Sequence, residues 1–295
     1  MKKTLLILII LFVSHALKAQ EDDSSKVYKL VEYPKGFTAQ LDVVYKKING
    51  WEGKLDLYLP PKTDKPSAIV INIHGGGWNH GVKESQTGFS TFFRAGFAVA
   101  NMEYRLTGQA TAPAAVEDTR CALIYIIKNA KALNIDVKKI VIMGGSAGGH
   151  LALMGGLLAN DHRFDTNCPG VENIQVAAII DKYGIADVWD WGYGPNIKSK
   201  SAKNWLGTKA GDKDFAASVS PITYVTKNSP PTFIVHGDAD PTVPYQQSDE
   251  LHKKFLEAGV ITEYIKVPGG LHGKFEKEKN SEINKAIMKF LAKLL

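Results

Sequence analysis

Cysteine is almost absent from this 295-residue chain, which carries only Cys121 and Cys168, so no disulfide framework can stand in for a hydrophobic core. The two could pair in an oxidising compartment. Cys121, however, falls in an apolar helical pattern and reads as a small core residue. No C-x-x-C and no H-x-x-x-H spacing occurs among the two cysteines and eight histidines, which leaves zinc chemistry without its ligand pattern. The glycine clusters never form G-x-x-x-x-G-K-[ST], so a phosphate loop is excluded, and neither a metal nor a cofactor is expected. Charge of one sign is also scarce. The net charge of +6 includes Lys2, Lys3 and Lys18 of the N-terminus, and the remainder is too mild for a nucleic-acid partner. No apolar run approaches the ~20 residues of a spanning helix. The longest, Leu5 to Val13, follows Met1-Lys2-Lys3 and precedes small residues from Ala16 to Ala19. That is the layout of a secretory signal peptide over residues 1–19, with a secreted or periplasmic product and no stable membrane insertion after cleavage.

What the sequence does have is 44% hydrophobic and 22% charged residues, enough for one large globular domain over residues 20–295. Thr38 to Lys47 and Lys54 to Leu59 alternate apolar and polar positions around Asn49-Gly50, as an antiparallel edge hairpin would. Continuous apolar runs follow at Ala68 to Ile73, Ala98 to Met102, Ile140 to Met143, Val176 to Ile180 and Thr232 to Val235, with a further strand at Ile261 to Val267. Such runs fit strands buried on both faces of a parallel sheet. Helical patterns lie between them, clearest at Ala114 to Ala132 and again near Tyr245 to Ala258 and Asn280 to Leu295. The expected fold is therefore α/β, with a mostly parallel central sheet of about eight strands and helices on both faces. One stretch breaks the alternation. Residues 183–231 are rich in Trp, Gly, Lys and Ser, and are expected to hold short helices forming a lid or pocket wall.

The strand from Ile140 runs through Gly144-Gly145-Ser146-Ala147-Gly148 directly into a helical pattern, which is G-x-S-x-G in the strand-to-helix context it requires. A nucleophile on so sharp a turn needs neighbours without side chains, and Gly144 and Gly148 supply them. A serine hydroxyl needs a base and an acid that orients it. His272 sits in Gly269-Gly270-Leu271-His272-Gly273 after a strand, and suits the base. Two acids, Asp238 and Asp240, follow the strand ending at Val235; Asp240 is favoured, because Asp238 lies closer to the strand and can cap the turn through its own backbone. His236, at the same strand end, reads as a structural group. Donors for a developing oxyanion are expected from Gly76 and Gly77 of His74-Gly75-Gly76-Gly77-Trp78, with the N–H of Ala147 as partner. Trp78, Trp189 and Trp191, with Tyr193 and Trp205, could form a flat wall for a sugar or phenolic ring; ordinary core packing is the competing reading.

These motifs, with Glu103-Tyr104-Arg105-Leu106, Pro113-Ala114-Ala115-Val116-Glu117-Asp118, Ser220-Pro221-Ile222 and His236-Gly237-Asp238-Ala239-Asp240-Pro241, resemble the HGGG-type esterase branch of the α/β-hydrolases. The closest likeness is to bacterial feruloyl- and acetylxylan-esterase-like proteins, from about residue 38 to the end. The resemblance implies a serine esterase with Ser146 as nucleophile, His272 as base, Asp240 as orienting acid, and Gly76 and Gly77 in the oxyanion hole. It also implies a structural ion pair between Arg105 and Asp118. Thr107-Gly108-Gln109-Ala110 replaces the proline- and glutamate-containing segment of the hormone-sensitive-lipase-like members, which argues against a lipid substrate. With export, the reading favours acetyl or feruloyl esters of plant polysaccharides. A peptidase or amidase using the same triad is the alternative. As a base, His272 must be neutral, so activity is expected to fall at acid pH.

Overall fold

Asn49 and Gly50 both take positive φ, 48° and 80°, the pair of left-handed residues that closes a two-residue hairpin. They join β1 (Thr38–Ile48) to β2 (Trp51–Leu59), with Ile48 opposite Trp51. The structure, a computed structural model, describes residues 27–295; the leader expected at residues 1–19 lies outside the described residues. The chain divides by its internal contacts into residues 1–30 and a unit from Val31 to Leu295. Residues 27–30 of the first carry no helix or strand, and all the described strands and helices belong to the second.

Beyond the hairpin, β3 (Ser67–Ile73), β4 (Ala98–Met102), β5 (Ile135–Gly145), β6 (Ala178–Lys182), β7 (Thr232–Gly237) and β8 (Thr262–Val267) complete an eight-stranded sheet in the order β1-β2-β4-β3-β5-β6-β7-β8. Only the β1–β2 and β2–β4 pairings are antiparallel; β4, β3 and β5 to β8 run parallel. The central strands are apolar because both their faces are covered. On one face α2 (Ala114–Leu133), α3 (Ala147–Leu157) and α7 (Gln246–Glu257) close the larger core; on the other α1 (Ser90–Arg94) and α8 (Lys277–Ala292) close the smaller one.

Several strands outrun the apolar stretches that betray them. β5 begins at Ile135, and β6 runs on through Asp181 and Lys182. Ladder hydrogen bonds continue through polar residues that an apolar run cannot mark. Residues 183–231 hold three short helices, α4 (Val188–Tyr193), α5 (Lys200–Leu206) and α6 (Lys213–Ser218). Ser199, Asp187 and Asp212 cap their N-termini through side-chain oxygens, which satisfies donors that such short helices cannot satisfy themselves. Val188, Trp191, Ala202, Trp205, Leu206 and Ala216 tie this segment into the larger core.

Cys121 of α2 is buried, as its apolar neighbours imply, but it is also bonded to Cys168. The chain after α3 folds back over α2 and brings the two Cα atoms to 5.4 Å, a separation that a disulfide spans readily. Nothing in the spacing of the two cysteines shows that return path.

Candidate active site

The crossover from β5 to α3 places Ser146 at the N-terminal end of α3, with φ 57° and ψ −125°. For a residue with a Cβ this backbone is strained, at a cost of about 1–3 kcal/mol. Neighbouring backbone enforces it. The Ser146 N–H donates to the Lys182 carbonyl of β6 at 2.9 Å, and the His150 N–H donates to the Ser146 carbonyl at 3.0 Å. The flanking glycines leave room for nothing else. A Cβ on Gly144 would lie 2.1 Å from the Gly148 carbonyl oxygen, and one on Gly148 would lie 2.2 Å from the Ile73 carbonyl oxygen.

The loop after β3 lies directly against this turn, since a Cβ on Gly75 would sit 3.3 Å from the Ser146 Cβ. Gly76 and Gly77 take φ of 116° and 56° and Trp78 takes 59°, so the loop coils back on itself, with the N–H groups of Asn79 and His80 on the Gly76 carbonyl. Among the described residues no hydrogen-bond acceptor takes the N–H of Gly76, Gly77 or Ala147. Free amides beside a nucleophile, one of them opening a helix, are suited to developing negative charge. Behind the loop, His74 stacks on Tyr104 with ring centroids 4.3 Å apart, and its Nδ1 lies 2.7 Å from the Gly75 carbonyl. Burial pushes the His74 imidazole down to about 4, so it is neutral support.

At the carboxyl ends of β7 and β8 the structure brings Asp240 and His272 together, Oδ2 to Nδ1, at 2.6 Å. A carboxylate oxygen can only accept, so Nδ1 carries a proton; in the neutral ring this is the tautomer whose Nε2 keeps its lone pair, the one a base requires. Asp240 Oδ1 accepts from the Thr242 and Val243 N–H groups at 2.7 and 3.0 Å. Burial opposes its ionisation, but hydrogen bonds from His236, His272 and Thr242 outweigh that and hold the carboxyl well below the usual carboxylate range. Asp238 does not cap its own turn as expected: its Oδ1 accepts the Gly269 N–H at 2.7 Å, in the loop after β8 that carries His272.

Ser146 and His272 are not hydrogen-bonded to each other in this structure. Tyr183, which sequence reasoning missed, bridges their two loops. Its ring meets His272 edge-on at 4.9 Å between centroids. Its hydroxyl lies 3.0 Å from where Gly145 would carry a Cβ and 2.5 Å from the same point on Gly273. Tyr183 takes φ 44°, a conformation that its residue type does not announce. Asp181, just before it on β6, is buried; its Oδ1 accepts the Gly184 N–H at 3.0 Å while Oδ2 has no partner. Burial pushes this carboxyl up to about 7.

The expected aromatic wall does not form. Trp78 is fully buried and stacks on Trp205, centroids 4.2 Å apart, with Trp191 packed edge-on at 5.6 Å. Trp191 is buried too, its Nε1–H on the Thr242 carbonyl at 2.9 Å. The positive φ at Trp78 turns its side chain inward, and the apolar side chains of α4 and α5 receive it. Both are packing residues. Trp189 remains partly exposed and stacks on Tyr193 at 4.3 Å. Arg105 does meet Asp118, with Nη2 and Nε each 2.8 Å from the carboxylate, and Lys46 joins at 2.8 Å on Oδ1.

The BD-FAE family profile matches residues 55–255. Esterase LipC of Mycobacterium tuberculosis is 27% identical over 220 residues, covering 71% of this chain and 53% of the relative. The chain spans about half the length of the curated relatives it matches. Among solved structures, a truncated carbohydrate esterase from gut microbiota superimposes with a TM-score of 0.76 at 28% identity, covering 90% of this chain and 100% of that one. An acetyl ester-xyloside bifunctional hydrolase from Caldicellulosiruptor lactoaceticus gives a TM-score of 0.70 at 26% identity, covering 83% and 89%. The fold is that of the α/β-hydrolase esterases.

Proposed function

The chain belongs to the BD-FAE family, and on that premise we propose that it is a serine carboxylic-ester hydrolase working through an acyl-enzyme. The observation that carries the reading is the 2.6 Å bond from His272 Nδ1 to Asp240, which engages one ring nitrogen with the acid and leaves Nε2 as the nitrogen that can take the Ser146 proton. Ser146 Oγ attacks the ester carbonyl and its proton passes to His272 Nε2. The carbonyl π electrons move to oxygen, where the Gly76, Gly77 and Ala147 amides receive the charge. Collapse expels the alcohol, which takes the proton from His272. Water then repeats the sequence, and the acid leaves.

For substrate, we favour acetyl esters of plant polysaccharides over feruloyl esters. The support is the named activities of the similar structures, a carbohydrate esterase and an acetyl ester-xyloside hydrolase; with Trp78 and Trp191 buried, no aromatic wall argues for a phenolic ring. Hydrolysis of acetylated xylan against methyl ferulate, with Ser146→Ala alongside, tests both parts. Serine-dependent acetate release supports the reading. Preferential ferulate release would reverse the choice of acyl group, and indifference to Ser146→Ala would remove the mechanism.

Export belongs to the same proposal. The N-terminal pattern of residues 1–19 supports it, as does the Cys121–Cys168 disulfide, which persists in oxidising compartments. N-terminal sequencing of the protein recovered outside the cytoplasm should begin near residue 20; an intact Met1 there would contradict cleavage.

A further inference from the structure

Asp240 Oδ2 is shared by two imidazoles. His272 approaches it on Nδ1 at 2.6 Å, and His236 approaches it on Nε2 at 3.2 Å. The same His236 Nε2 lies 3.0 Å from the Val243 carbonyl oxygen. A carbonyl oxygen can only accept, so Nε2 carries the hydrogen, forked between Val243 and Asp240. His236 Nδ1 lies 2.7 Å from the Ser248 hydroxyl on α7, and in a neutral ring with Nε2 protonated it accepts that hydroxyl proton. The side chains of His236 and Asp240 have no exposed surface, so His236 cannot touch a substrate.

From this geometry we propose that His236, oriented by Ser248, is a positioning residue that fixes the Asp240 oxygen on which His272 turns; the proposal rests on the triad reading above. The two oxygens of Asp240 are held differently. Oδ1 is anchored by two backbone N–H groups of its own turn. Oδ2 has one donor besides His272, and that donor is His236. During turnover His272 gains and loses a proton at Nε2 and reorients between serine and leaving group. Oδ2 must stay in place through that movement, because a carboxylate free to rotate about its Oδ1 anchors no longer fixes the imidazole. A histidine that looks structural from its place at the end of β7 thereby acts on the chemistry at one remove, through a hydrogen bond.

Two substitutions separate positioning from packing. In His236→Gln the side-chain amide reaches the place of Nε2 and can still donate to Asp240. In His236→Asn it ends near the place of Nδ1, so the bond to Ser248 is kept and the bond to Asp240 is lost. With aryl acetate as substrate, His236→Asn should lower kcat by about tenfold or more while KM stays within about twofold, and His236→Gln should restore most of the loss. Ser248→Ala should fall between them. Unfolding midpoints of each protein correct the rates for folded fraction. Equal kcat in the Asn and Gln variants would overturn the proposal. Should His236→Asn not fold, an unchanged kcat in Ser248→Ala would overturn it by itself. Ser146→Ala measured in parallel keeps the two readings apart. Activity surviving there overturns the triad and this inference together, whereas a dead Ser146→Ala beside indifferent His236 variants overturns the inference alone.

Discussion

Trp78 lies face to face with Trp205, ring centroids 4.2 Å apart and planes 15° from parallel, so the residue that follows the oxyanion glycines is anchored in the core by a side chain of α5. Thr107 completes the anchor, its N–H and hydroxyl both on the Trp78 carbonyl at 2.8 and 3.0 Å. Trp205→Ala removes a fully buried ring and should cost about 3–5 kcal/mol. Because the cavity opens behind Gly76 and Gly77, the acylation rate per folded molecule should fall as well. Urea unfolding and single-turnover kinetics on the same protein check the two effects separately. A destabilised variant with an unchanged acylation rate would show that the stack does not hold the loop.

The backbone at Ser146 supplies a second expectation. At φ 57° and ψ −125° an alanine is as strained as the serine, whereas glycine is at ease. Ser146→Gly and Ser146→Ala should both be inactive. The glycine variant should be the more stable of the two by about 1 kcal/mol, despite its greater chain entropy when unfolded. Paired denaturation curves decide this, and an alanine variant as stable as the glycine would mean that the turn stores no strain.

Asp181 should make stability depend on pH. Its carboxyl ionises near 3.8 when exposed and at about 7 in the fold. Between those values the folded state binds the extra proton. The stabilisation is therefore complete below pH 3.8 and lost as pH rises through 7. In Asp181→Asn the group no longer titrates, and Oδ1 can still accept the Gly184 N–H. Melting temperatures from pH 5 to 8.5 should fall more steeply for the parent than for Asp181→Asn; parallel curves would contradict the shift.

Asp118 compensates two buried cations, Lys46 and Arg105, and is itself wholly buried. Asp118→Ala strands both charges and should cost about 3–5 kcal/mol. Glu117, which also reaches Arg105 at 2.9 Å, can offset part of this but lies 3.9 Å from Lys46. Chemical denaturation gives the loss directly. A change below about 1 kcal/mol, the level of an exposed pair, would show that water reaches the cluster.

Much of this architecture is legible in the sequence because burial on both faces forces apolar runs, and the runs beginning at Ala68, Ala98, Ile140 and Thr232 mark β3, β4, β5 and β7. The Ser146 turn is legible because only glycine fits at Gly144 and Gly148. What stays hidden depends on distant partners. Trp78 sits beside the oxyanion glycines in sequence, yet α4 and α5 decide that it faces inward. Asp240 is favoured by the sequence as the partner of His272, but that Asp238 accepts the Gly269 N–H rather than capping its own turn is set by the return of the loop after β8. Tyr183 reaches its place through a positive φ that no motif encodes. The Cys121–Cys168 bond depends on the path of the chain after α3.

The acyl-enzyme is the central claim, and its most direct test is a rapid-quench burst with an aryl acetate followed by mass analysis of the peptide containing Ser146. The account expects close to one equivalent of phenol released ahead of steady turnover and an acetyl group on Ser146, with neither in Ser146→Ala. Turnover that survives in Ser146→Ala, or acetyl found on another residue with Ser146 unmodified, would contradict it.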